Sequence, residues 1–286
     1  MDTLPSLFVS HGSPMMALEP GAAGAFLQRL GPAIEARFGR PRAILAVSAH
    51  TLARGHFLLG AARHETIHDF GGFPAALYRL RYDAPGSPEV ADRAAALLAA
   101  AGLQAQVIPQ GGLDHGIWSP LRFAFPGADI PIVPLSFAPS DRPAHLFALG
   151  RALAPLADEG VLILGTGSLT HNLRLIFGPG GRTDADAPET PETAAFRAWV
   201  LARASARDWP ALLDYRRQAP HAAYMHPTDE HWLPFYVAAG AGGEQAVPQR
   251  LHGSVTHGSL AMDVYAFGKS ARALGIEGAA VASAAC

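Results

Sequence analysis

The sequence predicts a single α/β domain in which a central, mostly parallel or mixed β-sheet is flanked by helices. Short β-rich runs alternate with longer helix-compatible stretches along the 286 residues, an order typical of parallel strands joined by helices. Most of the β-rich runs are apolar throughout, as in strands covered on both faces. Because no internal repeat or linker divides the chain, residues 1–286 are expected to form one domain, with a frayed tail at about 276–286.

The individual elements follow from local patterns. The strand candidates, each bounded by Gly, Pro, Asp or Arg, are LPSLFVS (4–10), AILAVSA (43–49), PIVPLSF (131–137) and VLILGTGS (161–168). The runs expected to add further strands, some of them antiparallel, are 57–60, 105–108 and 259–267. The helix candidates are 22–38, 88–101, 143–157 and 189–206. The second helix has the clearest start, because Ser87 can cap it and Pro88 suits the first helical position.

Charge and hydropathy exclude several classes of protein. The formal net charge is -2 and the isoelectric point is near 6.7, without the basic stripe of a nucleic-acid or membrane-surface protein. The segment MDTLPSLFVS lacks the features of a signal peptide, and no apolar run reaches the roughly 18 to 20 residues of a membrane span. A cytoplasmic location is the default expectation, with small molecules as partners. The oligomeric state stays open, a homo-oligomer included.

The chain is rich in histidine and nearly free of cysteine. It contains 13 histidines and a single cysteine, Cys286, at its last position. An intramolecular disulfide and a thiolate metal site are therefore both excluded. Any metal site must be built from imidazole and oxygen ligands.

Three histidines follow predicted strands. His11 comes after LFVS, His50 after ILAVSA and His171 after VLILGTGSLT. A single histidine in such a place more often bonds a backbone carbonyl than a metal. In open α/β sheets, however, the carboxyl ends of the strands border the ligand crevice, so three histidines at equivalent ends predict a metal site there.

A second histidine group lies in HPTDEHWLPF (226–235). Thr228 or Asp229 can cap a helix whose first turn carries Glu230 and His231. His226 is five residues before His231, so the two do not share a helical face as a HExxH pair does. His231 is the better placed ligand, on a rigid helix start.

Two motifs pair histidine with aspartate beside glycines and aromatics. HDFGGFP (68–74) and GLDHGIWSP (112–120) have the composition of a substrate pocket. Alternatively, Asp69 and Asp114 cap turns that lead into helices. The loop GPGGRTDADAPETPE (178–192) could cover a site or have no role. The histidines interpreted as surface or structural residues are His56, His64, His145, His221, His252 and His257.

Taken together, these segments resemble the class III extradiol ring-cleaving dioxygenases, in the branch of the DOPA 4,5-dioxygenase type. The stretches that carry the resemblance are SHGSP (10–14), VSAHT (47–51), IHDFGGFP (67–74), YDAPGSP (82–88), LDHGIWSPL (113–121), GTGSLTHNLR (165–174) and PTDEHWLP (227–234). They extend over nearly the whole chain in the order of the family.

The resemblance implies a role for each matching histidine. His11 and His50 correspond to two metal ligands, and His231 to the third, where better-known class III enzymes carry a glutamate. His171 corresponds to the general acid/base, a task suited to an imidazole with its ordinary pKa near 6.5. His115 corresponds to a second histidine near substrate and oxygen. His68 acquires no role from the resemblance and is kept as a substrate-binding candidate.

The implied function is that of a non-haem Fe(II)-dependent extradiol dioxygenase, which opens the ring of a substituted catechol with O2. Three imidazoles also resemble a three-histidine zinc site, so Zn(II) could occupy the isolated protein. The first alternative is a zinc hydrolase in which His171 shuttles protons. The second, a non-catalytic binding protein, is disfavoured because His171 and His115 accompany all three ligands. The motifs determine neither which catechol is the substrate nor on which side of the diol the ring is cleaved.

Overall fold

The computed structural model describes residues 3–181 and 184–274; the tail at 276–286 and Cys286 lie outside them. In these ranges the strands are β1 (Ser6–Ser10), β2 (Ala43–Ser48), β3 (Phe57–Leu59), β4 (Arg63–His64), β5 (Ala84–Pro85), β6 (Gln106–Ile108), β7 (Ile132–Pro134), β8 (Val161–Gly167), β9 (Gln249–His252), β10 (Val255–Thr256), β11 (Leu260–Ala261) and β12 (Val264–Phe267). The α-helices are α1 (Gly21–Phe38), α2 (Pro88–Ala100), α3 (His115–Ala124), α4 (Pro143–Leu153), α5 (Pro155–Asp158), α6 (Arg174–Phe177), α7 (Pro191–Ala206), α8 (Trp209–Leu213), α9 (Tyr215–Gln218), α10 (Ala222–Met225) and α11 (Pro234–Gly242). One-turn 3-10 helices occupy Pro14–Ala17, Leu77–Arg79 and Ala271–Leu274.

The central sheet confirms the predicted mixed α/β fold. Its six strands lie in the order β7, β2, β8, β1, β12 and β9. The first four are parallel, whereas β12 pairs antiparallel with both β1 and β9. The register places Ser10 beside Gly167 and Ser48 beside Thr166. The chain therefore leaves β1, β2 and β8 at the same edge of the sheet.

Helices cover both faces of the sheet, as the continuously apolar strands predict. α1 and α3 pack together on one face, and α4 and α11 pack together on the other. Consecutive residues of β2 enter opposite cores, with Ile44 in one and Leu45 in the other. Within the described ranges no helix is both long and apolar enough to cross a membrane.

Two predicted elements are divided in the structure. The helix predicted at 143–157 ends at Leu153 and resumes as the short α5, because Pro155 has no N–H to continue the hydrogen-bond ladder. The strand predicted at 259–267 becomes β11 and β12, which pair with β10 and with β1 respectively. The runs at 57–60 and 105–108 form a separate parallel pair, β3 with β6.

The helix predicted to begin at Thr228 or Asp229 begins instead at Pro234, so the prediction was wrong there. Residues 229–233 form a turn in which the backbone N–H groups of Trp232 and Leu233 donate to the carbonyl of Asp229. The Asp229 carboxylate accepts from the Tyr215 hydroxyl at 2.6 Å rather than capping the helix. Proline is favoured at the first position of a helix, and Pro234 is the first residue of α11. His231 therefore lies in the preceding turn.

His226 is a buried core histidine. It is fully buried, and its Nε2–H donates to the carbonyl of Leu169 at 2.9 Å. Among the described residues Nδ1 has no hydrogen-bond partner, and burial lowers the pKa of His226 to about 3. Since an unfolded histidine titrates near 6.5, the unfolded state binds more protons between these two values. Stability contributed by the neutral ring is thus lost as the pH falls below about 6.5.

We expect His226→Gln to weaken the acid sensitivity of the fold. Glutamine keeps an N–H donor for Leu169 but takes up no proton. Below pH 6 the free energy of unfolding falls with pH in both proteins, and the slope should be smaller in His226→Gln by about 1.4 kcal/mol per pH unit, the contribution of one proton. Urea denaturation of metal-free protein at pH 7, 6 and 5 measures both slopes. His221→Asn, at an exposed histidine, is the control, and a slope unchanged in His226→Gln would contradict the assignment.

Candidate metal centre

The imidazoles of His11, His50 and His231 converge at the carboxyl edge of the sheet. His11 follows β1, His50 follows β2, and the turn before α11 carries His231. Nε2 of His50 lies 3.2 Å from Nε2 of His11 and 3.3 Å from Nε2 of His231. Three imidazole nitrogens at one point are a donor set for a transition metal.

A hydroxyl group determines which nitrogen of His11 is free. Thr166, on β8, donates its hydroxyl proton to the carbonyl of Gly116 at 2.6 Å. Its oxygen lies 3.0 Å from Nδ1 of His11, and therefore accepts from an Nδ1–H. Nε2 of His11 keeps its lone pair, directed at the other two histidines. Such partners behind a ligand raise its basicity and hold its ring in place.

Carboxylates take the same position behind the other two ligands. Nδ1 of His50 lies 3.4 Å from Oδ2 of Asp69, and Nδ1 of His231 lies 3.2 Å from Oε1 of Glu230. Both acceptors favour the tautomer with a bare Nε2. The sequence provides only one signal for them, since each carboxylate is adjacent along the chain to a candidate histidine.

Burial keeps the three candidate ligands neutral. Burial first, and then the neighbouring histidines, hold the pKa of His11 and of His231 well below the usual value near 6.5. Burial likewise lowers the pKa of His50 to about 3, although Asp69 partly offsets it. Neutral imidazole is the form that binds metal.

His115 is the first residue of α3 and is fixed from both sides. Asp114 caps the helix by accepting from the N–H of Ile117 at 3.2 Å, as expected of a capping aspartate. Asp69 accepts from the backbone N–H of His115 at 2.9 Å and lies 2.9 Å from its Nδ1. Burial raises the pKa of Asp69, but the hydrogen bonds from His115 outweigh this, so the pKa stays below its usual value. An ionised Asp69 thus orients two histidines, a role not identified from the sequence.

His171 stacks on His231. Their ring centroids are 3.4 Å apart, with an interplanar angle of 6°, and the backbone N–H of His171 donates to the carbonyl of Met225. Burial lowers the pKa of His171 to about 4, although Glu230 partly offsets it. The free protein therefore holds His171 as a neutral base at pH 7, in contrast to the titration near 6.5 expected from an ordinary imidazole.

A cavity of about 240 Å³ opens above these rings. His50, His115, His171 and His231 line it together with an apolar wall that includes Phe70, Phe73, Leu173, Ile176, Phe177 and Leu260. Its mixture of an apolar wall with a few convergent polar groups is typical of a small-molecule site.

The structure does not bring His68 to this cavity. Nε2 of His68 lies 3.1 Å from the carbonyl of Leu80, and its ring contacts Trp118. Its neighbours Asp69 and Phe70 line the cavity instead. The ring of His68 contacts that of Phe70, with centroids 5.7 Å apart, so His68 lies behind the cavity wall, and a role in substrate binding stays a prediction.

His257, interpreted from sequence as a surface or structural residue, lies at the cavity rim. Its backbone is left-handed, with φ of 55°, a conformation uncommon for a residue other than glycine. Its N–H donates to the carbonyl of Ala185, and the N–H of Thr190 donates to the carbonyl of Gly258. The described part of loop 178–192 therefore contacts the rim of the cavity.

Gly167 allows the end of β8 to approach the turn that carries His231. A Cβ at this position would lie 2.1 Å from the carbonyl oxygen of His231. We expect Gly167→Ala to displace His231 and to weaken metal binding by about tenfold or more, as when a support behind a ligand is lost. Competition with a chelator measures the affinity. Gly71→Ala is the control, because a Cβ there meets no atom within 4 Å, and equal affinities in the two variants would refute the expectation.

The chain is similar to known proteins over most of its length. The family profile described as "Catalytic LigB subunit of aromatic ring-opening dioxygenase" matches residues 5–267. The chain is 38% identical to the 4,5-DOPA dioxygenase extradiol of Beta vulgaris, over 92% of this chain and 96% of that protein. It is 37% identical to the Escherichia coli K12 protein of the same name, over 91% and 93%. A crystal structure of an uncharacterized Escherichia coli K12 protein superposes with a TM-score of 0.74 and 30% identity, covering 93% of this chain and 100% of that one.

Proposed function

Because the chain belongs to the family of catalytic LigB subunits of aromatic ring-opening dioxygenases and is an extradiol ring-cleaving enzyme, we propose that it uses non-haem Fe(II) and O2 to open a substituted catechol. The observation that carries the proposal is the convergence of the imidazoles of His11, His50 and His231, of which His50 and His231 line an apolar cavity. His115 and His171 face the same cavity, where a planar ring would lie.

The donor set fits such a metal. His11, His50 and His231 would hold it, each through an Nε2 whose lone pair is freed by an acceptor behind the ring. Three protein ligands leave positions open for a catechol and O2. When bound, Fe(II) supplies the electron transfer between ring and O2 that a closed-shell zinc ion does not.

The protein's own residues would handle the proton and the charge. His171, neutral in the free protein, would accept a proton from a catechol hydroxyl. An anionic catecholate beside it would then raise its pKa. Three neutral imidazoles leave the full charge of a divalent cation at the site, so an anionic substrate would compensate that charge better than a neutral one.

His115 and the apolar wall would position the ring. Asp69 holds the imidazole of His115 through Nδ1, so its Nε2 is the atom available to substrate or oxygen. Phe70 and Phe177 line the cavity and would pack against the aromatic face while excluding water. In the overall reaction both atoms of O2 enter the product and the carbon–carbon bond next to the diol breaks, which yields a ring-opened semialdehyde.

The substrate class rests on the named relatives. The Beta vulgaris and Escherichia coli proteins are called 4,5-DOPA dioxygenase extradiol, which supports a DOPA-like catechol as the first compound to test. Caffeate, protocatechuate and unsubstituted catechol form the rest of a panel that varies only the ring substituent.

Oxygen uptake by anaerobically Fe(II)-reconstituted protein tests the proposal. We expect uptake coupled to the yellow absorbance of a semialdehyde with at least one catechol, and none with the Zn(II)-loaded protein. A zinc-loaded form that hydrolyses esters or amides, with no uptake by the iron form, would instead support the three-histidine hydrolase. The zinc form is the matched control because it keeps the same ligands without the redox chemistry.

A further inference from the structure

A second group of metal-binding side chains lies outside the cavity. Nε2 of His56 is 3.0 Å from Oδ2 of Asp141, and Nδ1 of His145 is 3.0 Å from Oδ1 of the same carboxylate. One possible ligand atom from each of the three residues lies within 4.8 Å of the other two. We infer that His56, Asp141 and His145 form a second binding site for a divalent transition metal, of which Zn(II) is the best match.

The backbone presents these three residues in a fixed arrangement. His145 lies in the first turn of α4, four residues after Asp141, a spacing that brings two side chains to the same face. The carboxylate of Asp141 accepts from the N–H of Ala138 at 2.8 Å, and the N–H of Asp141 donates back to the carbonyl of Ala138. The central ligand is therefore held in place before any metal arrives.

The distances are close to those of a tetrahedral zinc site. With metal–ligand bonds of about 2.1 Å, ligand atoms in such a site are about 3.4 Å apart. The two nitrogen-to-oxygen distances, each 3.0 Å and each to a different oxygen of Asp141, are slightly shorter, and the imidazole planes meet at 78° with ring centroids 5.1 Å apart. A small outward movement of the rings would admit an ion between them.

Burial and donor type select the ion. The side chains of His56 and Asp141 are 10% and 11% exposed, whereas that of His145 is 38% exposed. The site is thus open on one side, where water can supply a fourth ligand. Two imidazoles and one carboxylate suit zinc and other first-row transition metals, whereas magnesium and calcium prefer oxygen ligands.

Hydrogen bonding alone would also account for the three contacts if each imidazole donated an N–H to the carboxylate. To bind a metal, each ring must move that proton to its other nitrogen. At the centre of His11, His50 and His231, by contrast, each Nδ1 faces an oxygen acceptor, which favours the tautomer that leaves Nε2 free for a metal. We therefore expect the second site to bind more weakly and to fill after the first.

The second site would stabilise one edge of the fold. A bound metal would link His56, the residue before β3, to His145 at the start of α4. The N–H of Ala53 donates to the carbonyl of Phe137 nearby. Zinc bound here should raise the melting temperature of a protein whose first centre has been removed. None of the three residues lines the cavity, so the inference does not depend on the proposed function.

Titration of the metal-free full-length chain with zinc chloride, followed by calorimetry and by metal analysis after desalting, tests the inference. We expect two zinc ions per wild-type chain and one in each of His145→Ala, Asp141→Asn and the double variant His11→Ala/His50→Ala. Asn at position 141 keeps an oxygen for the N–H of Ala138, so the turn should persist. The exposed-histidine variant His221→Asn is the matched control and should bind two.

Two outcomes would overturn the inference. One is a single zinc ion per wild-type chain at saturating zinc that the double variant His11→Ala/His50→Ala no longer binds. The other is a second ion that persists in both Asp141→Asn and His145→Ala, because it would then be bound elsewhere. A rise in melting temperature when zinc is added to the double variant, absent once Asp141→Asn is also present, would support the site independently of stoichiometry.

Discussion

The His171→Ala variant is expected to keep its metal and to lose turnover. The ring of His171 lies on the face of His231 and lines the cavity. It is not one of the rings whose Nε2 lies next to Nε2 of His50, which are those of His11 and His231. Alanine would remove the base that accepts the catechol proton, and loss of a general acid or base lowers rates by about 10²- to 10⁴-fold. Because that proton moves during reaction, kcat and kcat/KM should fall together.

Oxygen uptake and metal content, measured on the same preparation of His171→Ala, distinguish a role of His171 in proton transfer from a role in supporting His231. His145→Ala is the matched control, since it also removes one histidine ring but lies away from the cavity, and it should keep wild-type turnover with iron. Unchanged turnover in His171→Ala would refute the acid/base role. A loss of iron in proportion to the loss of rate would also refute it, because His171 would then act by supporting His231.

The convergence of His11 and His50 could be predicted from sequence because of a general property of parallel sheets. Strands that run in parallel end at one edge, so residues after β1 and β2 meet there whatever the details of packing. The register of Ser10 with Gly167 and of Ser48 with Thr166 satisfies this condition. The apolar runs sufficed to locate those strands, since both of their faces are buried.

The groups behind the ligands could not be predicted in this way. Thr166 acts on His11 only because β8 lies beside β1 in one register, and nothing local in GTGSLTH identifies that threonine. Asp69 reaches His50 and His115 from a loop distant from both in sequence. The motif HDFGGFP indicates a pocket. Which of its side chains line that pocket depends on the conformation of the loop, and the structure places Phe70 rather than His68 in the lining.

His11→Ala, His50→Ala and His231→Ala are each expected to lose the metal of the first centre, and all turnover with it. Each ring supplies one of three nitrogens, and alanine leaves two imidazoles and a space that water would fill. Thr166→Val should have a smaller effect, because it keeps the ligands but removes the acceptor for the Nδ1–H of His11. Metal affinity should then fall by about 10- to 100-fold, and Thr166→Ser should restore it.

These measurements are best made in the His145→Ala background. Zinc bound by His56, Asp141 and His145 would otherwise count as metal retained and would conceal the loss at the first centre. In that background we expect one ion per chain for the parent and none for the three ligand variants, by metal analysis after desalting. Full loading in all three would mean that the ion is held elsewhere and would remove the metal centre from this edge of the sheet. Loss in His11→Ala and His50→Ala but not in His231→Ala would instead identify a two-histidine centre, completed by a ligand other than the turn before α11.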